Sequence, residues 1–274
     1  IAPTAQALLG AYGVSKTMII FGVAFLIIVV SLAQLLRNPP ADYKPVDPKA
    51  HLRPTHIAAA RPPVDMDWHQ MIRTSTFWMF WTMYVFGAAA GLMVIGSAAS
   101  MAKASLGEAA FYAVVVLSVG NAGGRVLAGV VSDRIGRQMT LFIAFLLQSV
   151  MVLVPLYFGN NALALLVAVL FIGACYGANL TLFPSATKDN FGLKSFGLNY
   201  GVMFTAWGVG GLILPRIAGM VKDITGKEDM AFYIASALMV CGALLALINQ
   251  AMSKGKRKRK DKTHLPPSHP VAGI

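Results

Sequence analysis

Long apolar runs, separated by short polar stretches, occupy most of this chain. Each run is close to the ~20 residues that an α-helix needs to cross about 30 Å of hydrocarbon. The apolar residues are continuous rather than alternating, which favours membrane-spanning helices over a β-barrel. The pattern therefore predicts an all-α integral membrane protein. The predicted spans cover residues 14–36, 76–100, 111–131, 139–158, 162–183, 199–221 and 230–252.

Composition and charge agree with this class. Of the 274 residues, 57% are hydrophobic and only 12% are charged, which excludes a soluble domain. The net charge of +12 comes mainly from alternate loops and the tail, whereas the other loops hold only Lys16, Lys103, Lys222 and Lys227. Loops rich in Lys and Arg lie on the cytoplasmic side. The charge therefore requires no nucleic-acid partner, and the basic run from Lys254 to Lys260 can instead contact anionic lipids of the bilayer.

The chain divides into four parts. Residues 1–36 are predicted to hold the end of one helix and the whole of the next, and residues 37–73 form a Pro-rich, charged cytoplasmic linker. Residues 74–252 form a six-helix transmembrane bundle, and residues 253–274 form a basic cytoplasmic tail. One and a half spans, a linker and six spans are the layout expected for part of a twelve-helix carrier. We therefore expect an amino-terminal half, with four and a half further helices, as the partner of this chain.

Arg125 is a cation within an apolar span, and it is the strongest functional signal in the sequence. A guanidinium at the centre of a membrane helix costs about 2.5–3.5 kcal/mol on insertion scales, so it usually faces a cavity and an anion. We therefore predict a solute carrier for anions. The spans hold no nucleophile motif, no metal-binding motif and no mid-membrane carboxylate pair, so we predict no enzyme, metal site or cofactor. Arg216, the other cation within a span, lies near a helix end, where its side chain can reach the interface.

A charged, glycine-containing motif follows the Arg125 span. Gly129, Asp133, Arg134, Gly136 and Arg137 form the pattern G-x-x-x-D-R-x-G-R. The pattern resembles the loop motif of the major facilitator superfamily, in the copy between the eighth and ninth helices. We expect Gly129 to permit close helix approach, Gly136 to form a tight turn, and Asp133 to pair with Arg134 or Arg137. Such a cluster would latch one helix bundle to its neighbour in one transport state; an ordinary charged turn is the alternative.

Other segments narrow the resemblance. They read G-L-M-V-I-G, N-A-G-G-R-V-L-A-G, L-F-P-S-A-T-K-D-N-F-G and N-Y-G-V-M-F-T-A-W-G, and they begin at residues 91, 121, 182 and 199. Together they resemble the oxalate/formate antiporter family, which is related to the monocarboxylate carriers. The resemblance implies the major facilitator fold, a small carboxylate as substrate, and Arg125 as the residue that binds the carboxylate. A planar guanidinium suits that role because it can hold both carboxylate oxygens.

Four more residues are candidates for the substrate site. Tyr176 and Asn179, one turn apart on the tenth helix, are expected to offer an aromatic wall and a hydrogen-bond donor, with interhelical packing as the alternative. Asn121 takes the place of an aspartate in related proton-coupled carriers, so this half has no obvious proton acceptor. Trp207 replaces the lysine that meets the second carboxylate in oxalate-exchanging members; simple aromatic packing is its alternative. With one buried cation, a dianion would leave a charge unpaired, which favours a monocarboxylate.

The sequence thus predicts a secondary active carrier of small carboxylates, of the lactate, pyruvate or formate type, in the inner (plasma) membrane. Alternating access is expected, as antiport or as proton symport. An oxalate/formate exchanger and a non-transporting sensor on the same scaffold are the alternatives. We expect no transport by this chain alone, because half a carrier supplies half a site.

Overall fold

All regular structure in the described residues, which are 2–35, 65–226 and 229–263 of the computed structural model, is helical. Seven of these helices are long and apolar enough to cross a membrane. The prediction of an all-α membrane protein is therefore confirmed. The chain forms two compact units, Ile1–Pro63 and Val64–Ile274.

The described part of the first unit is the helix α1 (Ala2–Ala33). Its apolar side chains are mostly exposed, as expected for a span that faces lipid. Gly13 interrupts the helix with φ 70° and ψ 176°, a conformation that glycine adopts without strain and other residues rarely reach. The break lies where the sequence places the start of the first full span.

The second unit begins with a short helix and continues with six long ones. The short helix, α2 (Trp68–Ile72), lies inside the segment predicted to be a linker. A capping box fixes its start: the Gln70 backbone N–H donates to the Asp67 carboxylate at 2.9 Å, and the Asp67 backbone N–H donates to the Gln70 side chain at 3.2 Å. The long helices are α3 (Ser75–Leu106), α4 (Phe111–Ile135), α5 (Arg137–Phe158), α6 (Ala162–Phe191), α7 (Phe196–Thr225) and α8 (Asp229–Thr263).

Several helices extend beyond the apolar runs that predict them. α6 continues to Phe191, and α8 continues through Lys254 to Lys260 and ends at Thr263. A helical backbone does not have to end where the hydrocarbon ends. Lys and Arg are good helix formers, and positive charge is favourable at a helix C-terminus. The first part of the predicted tail is therefore helical.

The long helices pack mainly in pairs, α4 against α6, α3 against α7 and α5 against α8. Glycines bring α4 and α6 into backbone contact. A Cβ atom on Gly124 would collide with the backbone of Ala174, and one on Gly177 would collide with the backbone of Asn121. Such close approach requires residues without side chains. Gly124 is buried in this contact, whereas the next residue, Arg125, is exposed.

The residues just before α2 are attached to the turn between α6 and α7. The Asp65 carboxylate accepts hydrogen bonds from the backbone N–H groups of residues 193 and 194, at 3.0 and 3.1 Å. The Met66 N–H donates to the carbonyl of Phe191 at 3.0 Å, and the Asn199 side chain donates to the Met66 carbonyl at 2.8 Å. We call these four hydrogen bonds the α6–α7 clasp.

Candidate functional site

Arg125 lies on the exposed side of α4. Its Nε donates a hydrogen bond to Oδ1 of Asn121, one turn earlier, at 3.1 Å. Among the side chains that the structure describes, no carboxylate forms an ion pair with it. Because Asn121 takes the Nε donor, the two terminal nitrogens form the edge on which a ligand can bind. A carboxylate can be held there end-on, by two parallel N–H···O bonds.

Tyr176 on α6 and Trp207 on α7 are joined by a hydrogen bond. The Trp207 Nε1–H donates to the Tyr176 hydroxyl at 2.7 Å. The Tyr176 ring packs on α3 at Gly91, where an added Cβ would lie 3.1 Å from two atoms of the ring. The Trp207 ring stacks on Phe204, with ring centres 5.4 Å apart and planes within 8°. Such aromatic contacts contribute roughly 0.5–1.5 kcal/mol beyond area burial, so they help to hold both rings in place.

Two tyrosines outside the predicted site complete a cluster of phenols. The hydroxyls of Tyr84 on α3 and Tyr200 on α7 are 3.4 Å apart, and either can donate. Tyr84 also stacks on Phe183, with ring centres 4.1 Å apart. Arg125 is close enough to Tyr84, Tyr176 and Tyr200 to act electrostatically on all three phenols. The structure thus brings one cation from α4 together with hydroxyls from α3, α6 and α7, a set of groups suited to an anion.

Asn179 lies one turn after Tyr176 on α6 and, like the Tyr176 ring, faces α3. It is only 1% exposed, and an added Cβ on Gly87 of α3 would lie 2.6 Å from its Nδ2. Its position between α6 and α3 favours the interhelical packing alternative. Arg216 is exposed and lies nine residues after Trp207, about two and a half helical turns, which puts it on the opposite side of α7.

The charged motif at the end of α4 forms a bridge to α6. The Nη1 of Arg137 lies 2.9 Å from Oδ1 of Asp133, and its Nε donates to Oδ2 of Asp189 at 3.1 Å. Arg137 also donates to the Ser132 hydroxyl. Arg134 is exposed and forms no ion pair with a described residue. Of the two partners expected for Asp133, Arg137 is the one that pairs with it. Arg137 also pairs with Asp189, which lies outside the motif.

The two glycines of the motif differ in role. Gly136 has φ 91° and ψ 156° between α4 and α5, so the expected tight turn is confirmed. The expectation for Gly129 is wrong, because an added Cβ there would lie 3.8 Å from the Thr181 side chain, an ordinary contact. The close approach of α4 to α6 occurs earlier in the helix, at Gly120 and Gly124, where an added Cβ would meet backbone atoms.

A sequence profile of the Major Facilitator Superfamily matches residues 1–215 and 86–272. The two matches together cover almost the whole chain. The chain belongs to the major facilitator superfamily. This confirms the resemblance drawn from the motif at the end of α4.

Several proteins of the superfamily are similar to the chain. It is 28% identical over 211 residues to the uncharacterised MFS-type transporter YhjX of Escherichia coli K12, which is 75% of this chain and 49% of that protein. It is 28% identical over 200 residues to the oxalate:formate antiporter of Oxalobacter formigenes, 71% of this chain and 47% of that protein. It is 29% identical over 157 residues to human monocarboxylate transporter 14, 55% of this chain and 30% of that protein. All three are named as transporters, and the chain spans about half the length of the first two.

The sequence contains signals for only some of the residues in this cluster. Tyr200 lies seven residues before Trp207, about two turns, so the spacing along α7 was a usable signal for it. Tyr84 had no such signal, because only the packing of α3 against α7 brings it to Tyr200. Asp189 stands at the end of α6, and only the fold shows that Arg137 reaches it.

Proposed function

We propose that this chain supplies the carboxyl-terminal half of a secondary active carrier for small carboxylates, and that Arg125 holds the substrate carboxylate. The geometry of Arg125 is the observation that supports this proposal. Its guanidinium is exposed on an apolar span, its Nε is held by Asn121, and its terminal edge has no carboxylate partner among the described residues. An anionic substrate would offset the cost of keeping this cation in the membrane.

A monocarboxylate fits the site better than a dicarboxylate. Arg125 is the one cation that acts on the three phenols in the described part of the chain, and Trp207, whose N–H donates to Tyr176, adds no charge. A single carboxylate neutralises this cation, whereas a second carboxylate would remain unpaired in a low dielectric. Lactate, pyruvate and formate meet this requirement.

Transport by alternating access requires two halves that rock around a central substrate. Asn121 cannot titrate, so the neighbour of Arg125 carries no proton. Exchange of one anion for another needs no proton acceptor in this half, whereas proton symport requires one in the amino-terminal half. The distribution of Lys and Arg supports an inner (plasma) membrane location with the linker and the tail in the cytoplasm.

Oxalate/formate exchange is the second candidate. It is favoured by the similarity to the oxalate:formate antiporter of Oxalobacter formigenes. The two candidates differ in the number of cations that the substrate needs. Competition between oxalate and lactate for the same site therefore separates them.

The experiment uses a twelve-helix carrier in proteoliposomes, formed by this chain together with the four and a half amino-terminal helices of the predicted layout, and we call it the assembled carrier. Arg125→Lys keeps the charge and loses the planar fork, so counterflow of labelled pyruvate should fall by about 10- to 100-fold. Arg216→Lys is the matched control, because it changes the other arginine within a span, on the side of α7 opposite Trp207. Its counterflow should stay near that of the unmodified carrier.

Near-normal counterflow in Arg125→Lys would contradict the proposal. An equal loss in Arg125→Lys and Arg216→Lys would contradict it too, since the effect would then not depend on the site. Stronger inhibition by oxalate than by lactate in the unmodified carrier would favour the second candidate.

A further inference from the structure

The hydrogen bond between Trp207 and Tyr176 has a fixed direction. An indole N–H can only donate, so the Tyr176 hydroxyl is the acceptor at 2.7 Å. A phenol carries one proton, and Tyr176 therefore keeps its own proton for a second partner. The pair formed by Tyr84 and Tyr200 differs, because either hydroxyl can donate. Among the three phenols beside Arg125, a neighbour sets the direction only for Tyr176.

Both rings of this pair are held by other helices. Tyr176 is 6% exposed, and α3 packs directly on its ring at Gly91. Trp207 is half-buried and stacks on Phe204. Neither ring can turn without losing these contacts. The remaining freedom of Tyr176 is rotation of its O–H about the C–O bond, and the indole already occupies one direction of approach to that oxygen.

We propose that Trp207 is a positioning residue, whose N–H makes Tyr176 an obligate hydrogen-bond donor to the substrate beside Arg125. The donor would select carboxylates that carry an oxygen on the adjacent carbon, the 2-oxo and 2-hydroxy acids, over plain acids of the same size. This inference rests on the proposed function and names the substrate class more closely.

The number of donors supports this selection. The terminal edge of Arg125 can satisfy both oxygens of one carboxylate. The Tyr176 O–H is a further donor at a fixed position, and a third oxygen on the substrate can accept its hydrogen bond. A site built around such a donor disfavours an analogue that lacks the oxygen, because the buried donor would lose its partner. Trp207 thus provides directed hydrogen bonding at the position where oxalate-exchanging relatives are expected to place a charge.

The test measures a selectivity ratio in the assembled carrier, the inhibition constant of propionate divided by that of pyruvate. Tyr176→Phe removes the O–H and keeps the ring, and should lower the ratio by about 10- to 100-fold. Trp207→Phe removes the N–H and keeps the stack on Phe204, and should lower the ratio by about 3- to 10-fold. The selectivity ratio of the double variant should be no lower than that of Tyr176→Phe alone, because both residues act through one hydrogen bond to the substrate. A ratio does not depend on how much protein folds.

Tyr157→Phe on α5 is the matched control, since it removes a phenol that is hydrogen-bonded to Tyr233 away from Arg125, and its ratio should be unchanged. An unchanged ratio in Tyr176→Phe, or losses that multiply in the double variant, would overturn the inference. If either Tyr176→Phe or Trp207→Phe fails to insert into the membrane, the remaining single variant still tests the inference, because each variant has its own expected selectivity ratio. Full transport in Arg125→Lys would instead overturn the proposed function, whereas loss in Arg125→Lys with an unchanged ratio in Tyr176→Phe would overturn this inference alone.

Discussion

At the scale of single residues, Asn121 and Arg125 act as a unit. They lie one turn apart on α4, and the amide oxygen of Asn121 holds the Nε of Arg125 at 3.1 Å. An amide can orient a guanidinium without neutralising it. In the proposed carrier, the positive charge of Arg125 is therefore kept for the substrate, which a carboxylate at position 121 would not allow.

Asn121→Asp tests whether residue 121 must orient Arg125 without neutralising its charge. The ionised aspartate would pair with Arg125 and compete with the substrate, so the apparent affinity for pyruvate should fall by about tenfold or more at neutral pH. Protonation of the aspartate removes the competing charge, so the loss should shrink as the pH falls. The measurement is inhibition by pyruvate between pH 5 and 8 in the assembled carrier. Asn121→Ala is the control, and an identical pH profile for the two variants would contradict the argument.

Residues that break a local pattern were predictable from the sequence. Arg125 is a cation in an apolar run, and Trp207 differs from the lysine expected from the family resemblance, so the sequence singles out both. Tyr84 and Asp189 are ordinary residues for their segments, and their roles arise only from contacts between distant parts of the chain, with Tyr200 and with Arg137. For Asn179, periodicity predicts a helix face but not that α3 covers this side chain.

At the scale of helices, the glycines of α4 separate a packed face from an open one. Gly124 would place a Cβ against the backbone of Ala174, whereas Gly123 has nothing within 4 Å of an added Cβ. The two neighbouring positions therefore form a matched pair for substitution. The sequence predicted the existence and order of the spans, but their lengths and the α4–α6 contact depend on tertiary packing.

Gly124→Ala should destabilise the chain by about 1–3 kcal/mol, because two backbones would have to separate. Gly123→Ala should leave stability unchanged or raise it slightly, since alanine is the better helix former. The thermal unfolding midpoint of the detergent-solubilised chain measures both. Equal midpoints for the two variants would show that the α4–α6 contact is not as close as described.

At the scale of the whole molecule, the proposed function makes the residues around Arg125 one half of a substrate site. The cation and the phenols come from α3, α4, α6 and α7, and the superfamily layout places the substrate between this bundle and another. Arg125 without an opposing bundle is a charge exposed on an apolar span.

The chain alone should therefore insert into membranes without transporting. Expression of residues 1–274 alone and with the amino-terminal half, followed by uptake of labelled pyruvate, compares the two directly. Uptake should be saturable only in the combined sample, and empty membranes give the background. Equal saturable uptake by the chain alone would show that one bundle is sufficient.

The α6–α7 clasp gives the molecule a practical boundary for protein engineering. The Asp65 carboxylate holds the turn before α7 through the backbone N–H groups of residues 193 and 194. The Met66 carbonyl accepts a hydrogen bond from the side chain of Asn199, in the first turn of α7 and one residue before Tyr200. A protease site or a fluorescent fusion inserted ahead of Asp65 keeps all four hydrogen bonds on the carboxyl-terminal piece. The same insertion between Met66 and Trp68 would separate the clasp from α2 and release the start of α7. Split-carrier designs should therefore divide the chain before Asp65.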